Sequence, residues 1–262
     1  MEKAKLSEFS LPYPGRGDRR IRVYVPAHEE GERLPVIYMT DGQNLFDAQS
    51  CTWGCWRTIE AVEESMKNGS SGAVIVGIDH GGRWRDNELT PRSIGTVLHA
   101  GEMENFSAPE GEVFDRFAVE SVMPYVEAHF PVRTGAKYTA VCGSSSGGLQ
   151  CFFTGLLHSG LFSMIGAFSP AMMLYSEEDI RAWILSRMAD DMPYIYLYSG
   201  MADELEERIF ACTDSTYDIL TEIGYPCDRL NEVIMPGYRH NEDAWAEIFR
   251  DFLHTFLYRA GD

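Results

Sequence analysis

The chain has 262 residues, 45% of them hydrophobic, and a formal net charge of −18. That length suits one large α/β domain with a substantial core, and the composition is that of a globular protein. The acidic balance argues against nucleic acid or an anionic membrane as partner, since both call for a positive face; a neutral or cationic small molecule fits better.

Residues 1–15 contain no apolar run of secretory type,. The six cysteines, at 51, 55, 142, 151, 212 and 227, include one C-x3-C pair (Cys51, Cys55) without a matching second pair or a histidine at zinc spacing,. The expectation is therefore reduced thiols in a cytoplasm, with no metal and no cofactor. Residues 138–176 contain no Asp, Glu, Lys or Arg. Gly, Ser, Pro and His interrupt this stretch, so it reads as two buried strands around a buried helix and not as a membrane span.

In chain order, Leu6–Leu11 and Arg20–Val25 read as strands, the second alternating charged and apolar residues as an antiparallel pair would,. Pro35–Thr40 is a buried strand, Trp56–Lys67 a helix and Ala73–Ile78 a second buried strand. Asp79–Gly111 is irregular and too long for a simple connector. Glu112–His129 reads as an amphipathic helix bent at Pro124,. Tyr138–Cys142 is a strand, Ser146–His158 a helix and Met164–Phe168 a strand. There follow a helix over Glu177–Met188, a strand over Pro193–Tyr198, a helix over Glu204–Ile223, a strand over Arg229–Ile234 and a helix over Glu242–Tyr258. No repeat or long linker divides the chain, so one domain over residues 1–262 is expected. Alternating strands and helices predict a mostly parallel sheet covered on both faces. Eight strands in this order are what the α/β-hydrolase fold requires.

The fifth strand runs into Gly143-Ser144-Ser145-Ser146-Gly147 and then a helix. This is G-x-S-x-G in its strand–turn–helix setting, which places Ser145 as a nucleophile on a tight turn. A serine hydroxyl needs a base, and the base needs an orienting acid. In this fold the chain order is Ser, acid, His. His240 lies in a Gly/Pro loop after the last strand, whereas His254 lies inside the last helix; His240 is the expected base. The acid is expected just after Pro193–Tyr198, where Asp203 is preferred and Glu204 is the alternative. Both also sit where acids favour a helix start. The oxyanion of the tetrahedral intermediate is assigned to two backbone N–H groups, those of Ser146 and of Gln43 in the Asp41-Gly42-Gln43-Asn44 loop,.

Several segments resemble one esterase family of α/β-hydrolases, which contains esterase D-like enzymes, feruloyl and acetyl-xylan esterases and enterobactin esterases. Residues 36–47 (VIYMTDGQNLFD) are similar to its LYxxDGQNLFD segment, and 76–82 with Arg85, Glu88, Thr90 and Pro91 to its VGIDNGGxxRxxEYTP segment. Residues 143–148 match GSSMGG with Ser146 in place of Met. Ser169-Pro170 matches the SP after the next strand, and 237–241 with Trp245 match GxxHNxxxW. The resemblance spans roughly Arg20 to Leu257. It implies Ser145 as nucleophile, His240 as base, and an acid three positions past Gly200, which is Asp203.

Arg85 and Glu88 are placed to pair across a loop as a structural anchor. Trp53, Trp56, Trp84 and Phe106 fall in segments expected near the mouth of the site, where aromatic faces could stack on a sugar or aromatic acyl group; for Trp56, packing of its helix on the sheet is the simpler role. The expected activity is hydrolysis of short-chain carboxylic esters, with acylated sugars as candidate substrates. The alternatives are an acyltransferase or thioesterase with the same triad, or a siderophore esterase. The last would need cations such as Arg83, Arg85, Arg92 and Arg239 at the mouth.

Overall fold

The computed structural model describes the chain apart from residues 50, 52, 53, 104 and 262. Its eight strands are β1 (Lys5–Tyr13), β2 (Gly17–Val25), β3 (Val36–Thr40), β4 (Val74–Ile78), β5 (Thr139–Ser144), β6 (Met164–Phe168), β7 (Tyr194–Gly200) and β8 (Leu230–Met235). They form one sheet in the order β1-β2-β4-β3-β5-β6-β7-β8. β1 pairs antiparallel with β2, and β2 with β4; every other pairing is parallel. The helices are α1 (Thr58–Lys67), α2 (Arg85–Glu88), α3 (Gly111–Phe117), α4 (Met123–His129), α5 (Ser146–Leu157), α6 (Glu177–Leu185), α7 (Glu204–Glu222) and α8 (Glu242–Ala260).

The central strands are buried along their whole length: VIYMT in β3, VIVGI in β4 and TAVCGS in β5. Helices cover both faces, so neither face tolerates polar alternation. Successive side chains feed two cores. Tyr38, Val76, Val141 and Ile165 pack on one face with Phe117, Phe152 and Phe153. Ile37, Ile75, Cys142 and Phe168 pack on the other with Trp56, Phe249 and Phe252 of the α1–α8 layer. Trp56 is 2% exposed and its ring meets those of Phe168, Trp245 and Phe249. It packs its segment onto the sheet, the simpler of its two expected roles.

The expected helix over Glu112–His129 is instead α3, a π-helical turn over Ala118–Val122, and α4. The cause is Pro124, which has no N–H for the preceding turn and crowds its carbonyl. A widened turn absorbs the mismatch without ending the helix. The irregular Asp79–Gly111 segment contains α2 and two short 3-10 turns.

β8 is one of the two edge strands of the sheet, and Glu232 sits half-buried in it. One of its carboxylate oxygens is buried without a hydrogen-bond partner. Burial, reinforced by the charges of Asp214 and Asp218 on α7, pushes its pKa up from 4.5 to about 7. The neutral acid suits the fold and the anion does not, so stability is lost as pH rises from the unfolded value through the folded one. Glu232→Gln is therefore expected to be more stable than the parent at pH 8, by about 1 kcal/mol once solvent screening is allowed for. At pH 4 the two should coincide. Denaturant unfolding at both pH values checks this.

Candidate active site

The carboxyl ends of β3, β5, β6, β7 and β8 converge on one edge of the sheet, where open α/β folds bind ligands. Ser145 stands between β5 and α5 with φ 58° and ψ −128°, a left-handed conformation rare for serine. Such strain persists only where the surroundings over-determine it. Here the Ser145 N–H donates to the Phe168 carbonyl (2.9 Å), and its own carbonyl accepts from Leu149 (3.0 Å) and Ala171 (3.1 Å). The flanking glycines are required by contact. A Cβ on Gly143 or on Gly147 would lie 2.2 Å from Thr40 Oγ1. Ser144 and Ser146 are buried while Ser145 is half-exposed, so the turn lifts only the middle serine toward solvent.

His240 follows β8 and is tied to the loop after β7. The Tyr238 carbonyl accepts from Met201 (3.2 Å) and Ala202 (3.0 Å), and a Cβ on Gly200 would meet that oxygen at 2.2 Å. The imidazole stands edge-on to Trp245, with centroids 5.0 Å apart. Trp245 in turn donates Nε1–H to Ser169 Oγ at 3.0 Å. Ser169 follows Phe168, whose carbonyl holds the Ser145 N–H. Trp245 thus bridges the His240 loop to the Ser145 turn.

The acid expected from the sequence does not face the imidazole. Asp203 is the N-cap of α7, and its carboxylate accepts the backbone N–H of Glu206 (2.9 Å) and that of His240 (3.1 Å). These hydrogen bonds, the one from Glu206 foremost, hold its pKa below the usual carboxylate range,. Glu204 is exposed. The carboxylate at the ring is Glu206, whose Oε1 lies 2.8 Å from His240 Nδ1 and whose Oε2 accepts from Gly200 N–H at 2.9 Å. Its side chain is fully buried and that of His240 is 15% exposed. A helical side chain leans back toward the N-terminus. Glu206, at the third position of α7, therefore reaches the histidine loop while Asp203 is spent on the backbone. The D-x-x-E spacing of a capping box was the signal in the sequence.

Ser146 opens α5, so its N–H has no acceptor within that helix,. Gln43 lies in the 3-10 turn Gly42–Asn44, one residue before the N–H of Asn44 that bonds Asp41 O (2.9 Å). Its side-chain oxygen accepts from His80 N at 3.3 Å. Asn44 Nδ2 donates to Glu242 Oε1 at 2.9 Å, joining this turn to the start of α8. Burial first, then the neighbouring Asp41 charge, raises the Glu242 pKa, against the opposing pull of Arg85 and His240.

Arg85 does not anchor on Glu88. It grips Asp41 through Nε–Oδ1 (2.7 Å) and Nη2–Oδ2 (2.8 Å), while Glu88 accepts from Arg19 (2.8 Å to each oxygen) and Arg16 (2.9 Å). Burial alone would raise the Asp41 pKa; the charge and hydrogen bonds of Arg85 more than offset it and hold it low. Trp84 has the guanidinium groups of Arg16 and Arg83 over its ring at 4.5 and 4.7 Å, so arginines occupy faces expected for ligand stacking. Phe106 is half-buried, and Trp53 lies outside the described residues.

The Esterase family model, described as "Putative esterase", matches residues 15–192. The chain belongs to this family. It is a carboxylic ester hydrolase with the α/β-hydrolase fold. Three solved structures are similar. A ferulic acid esterase from the anaerobic fungus Anaeromyces mucronatus, with ferulic acid bound, has TM-score 0.72 and 21% identity over 100% of this chain and 93% of its own. Siderophore hydrolase EstA from Aspergillus nidulans has TM-score 0.74 and 20% identity over 97% and 94%. The enterobactin esterase FES from Shigella flexneri has TM-score 0.72 and 19% identity over 96% and 58%, in the structure containing enterobactin. At these identities the likeness is one of fold. No described helix is long and apolar enough to cross a membrane.

Proposed function

We propose that the chain acts as one domain that hydrolyses short-chain, uncharged carboxylic esters through an acyl-enzyme on Ser145, with His240 as base and Glu206 as the orienting acid. The observation that carries this reading is the buried Glu206–His240 contact at 2.8 Å, on the same sheet edge as the strained Ser145 turn. A carboxylate can only accept, so it fixes the proton on Nδ1 and leaves Nε2 free to act as base. Ser145 Oγ attacks the ester carbonyl as Nε2 takes its proton. The C–O bond to the alcohol then breaks, and His240 returns the proton to the leaving oxygen. Water attacks the acyl-enzyme by the same route, releasing the acid and restoring Ser145. The N–H groups of Ser146 and Gln43 serve the oxyanion.

The side chains near these donors favour a neutral substrate. Asp41, Asp86 and Glu242 supply carboxylates, and Arg85 is engaged by Asp41 and Asp86. Arg83 lies over Trp84, and Arg92 donates to the Pro109 carbonyl. Of the four arginines that a triply anionic siderophore would need, Arg85 is thus already paired with carboxylates. Acylated sugars, which carry no charge, suit this lining better. The six free thiols suit a reducing compartment such as the cytoplasm,.

Rates on p-nitrophenyl acetate, butyrate and ferulate, with product analysis in the presence of added sugar, test this reading. Acetate is expected to be turned over fastest, with free acid as the product. Transfer of the acyl group to the sugar in preference to water would make the protein an acyltransferase. Hydrolysis of a ferric triscatecholate ester in preference to all three would make it a siderophore esterase.

A further inference from the structure

The two oxyanion donors come from separate segments, the turn after β3 and the start of α5. Something must hold them in register, because an oxyanion hole works only when both N–H groups aim at one point before charge develops. Side chains connect the two segments. Ser146 Oγ donates to Asp86 Oδ1 at 3.1 Å. The same oxygen accepts from Arg85 Nη1 at 3.3 Å. Arg85 holds both oxygens of Asp41 in the fork described above. Asp41 begins the turn that carries Gln43, with φ 54°, and its Oδ2 lies 3.0 Å from where a Cβ of Gly147 would be. The path from Ser146 to the turn that carries Gln43 is therefore Ser146, Asp86, Arg85, Asp41, hydrogen-bonded at each step.

We propose that this chain of side chains is a positioning relay that fixes the Ser146 and Gln43 N–H groups relative to each other. The proposal rests on Ser145 being the nucleophile. The relay uses a feature of this sequence: methionine, the residue of the family pattern at this position, has no hydroxyl and cannot donate to Asp86. Ser146 is only 6% exposed and the Asp41 side chain 5%, so both ends of the path are buried, while Arg85 and Asp86 between them are 26% and 31% exposed. None of the four side chains is assigned a role in bond making. They act through the backbone donors.

The test is a double-mutant cycle on Ser146→Ala and Asp86→Ala, read by kcat and KM on p-nitrophenyl acetate and by Ki for a trifluoromethyl ketone. That inhibitor forms a bond from Ser145 Oγ to its carbonyl carbon, passes the serine proton to His240 and leaves an alkoxide in the oxyanion hole. Loss of a whole oxyanion donor costs roughly 10²–10³-fold in kcat, so misalignment of one should cost about tenfold. Each single variant is expected to lose about tenfold in kcat and in ketone affinity with KM nearly unchanged. The double variant should be no worse than either single. Asp86→Asn keeps an acceptor for Ser146 and should recover part of the loss; it also serves if Asp86→Ala does not fold. Single variants within twofold of the parent, or multiplying losses in the double variant, would overturn the relay. Ser145→Ala runs beside them. Parental activity in that variant would refute the nucleophile assignment itself; an inactive Ser145→Ala with parental Ser146→Ala and Asp86→Ala would refute the relay alone.

Discussion

Glu206→Gln is expected to lower kcat by roughly 10³–10⁴-fold, the scale of losing the orienting acid of a serine–histidine pair. The amide can donate to His240 Nδ1, which favours the tautomer with its proton on Nε2, where a base is needed. It also removes the negative charge that stabilises the imidazolium formed during attack. Fold and substrate binding should survive, because Gln keeps the size of Glu and its oxygen can still accept from Gly200 N–H. Asp203→Asn separates the two candidate acids. Among the described residues its carboxylate accepts from the backbone N–H groups of Glu206 and His240, and an amide oxygen can keep one of these two bonds. That variant should lose less than tenfold in kcat, with stability lowered by no more than about 1 kcal/mol, the scale of a perturbed N-cap. Steady-state kinetics of the two variants measured side by side distinguish the assignments: a large loss in Asp203→Asn with a small one in Glu206→Gln would return the role to Asp203.

The second large effect is at Ser145, the proposed nucleophile. Ser145→Ala is expected to reduce kcat by about 10⁶-fold, leaving the residual catalysis that an oxyanion hole and binding supply. The same substitution should not weaken the fold much. Alanine removes one half-exposed oxygen and shares the backbone preference of serine, so the strain at φ 58° is unchanged,. Thermal unfolding within a few degrees of the parent, beside a loss of activity of this size, separates a chemical role from a structural one.

The sheet was legible in the sequence because its central strands are uninterrupted apolar runs between turn residues, the pattern imposed by burial on both faces,. The Ser145 turn was legible because its glycines are fixed by close contact with Thr40, a constraint that leaves a mark on the sequence. The partner of His240 was misread for a physical reason. Position along the chain favoured Asp203, the first carboxylate after β7. Helix geometry instead assigns the first acid to capping and the third residue of the helix to the ring,. Arg85 and Glu88 were misread in a similar way. Residues three apart on one turn are natural neighbours, but each found a better partner from a distant segment: Arg85 the buried fork of Asp41, and Glu88 the guanidinium groups of Arg19 and Arg16. Long-range charge pairs of this kind leave no periodic signature in the sequence.

The most direct test of a Ser145–His240–Glu206 esterase is to trap the acyl-enzyme. The protein is mixed with p-nitrophenyl acetate, quenched in acid on the millisecond scale, digested and analysed by mass spectrometry. One acetyl group per chain is expected, carried by Ser145, formed in the parent and slowed to near absence in Glu206→Gln. Turnover of the ester with no acetyl group on Ser145, or with acetylation of another residue that survives Ser145→Ala, would contradict it.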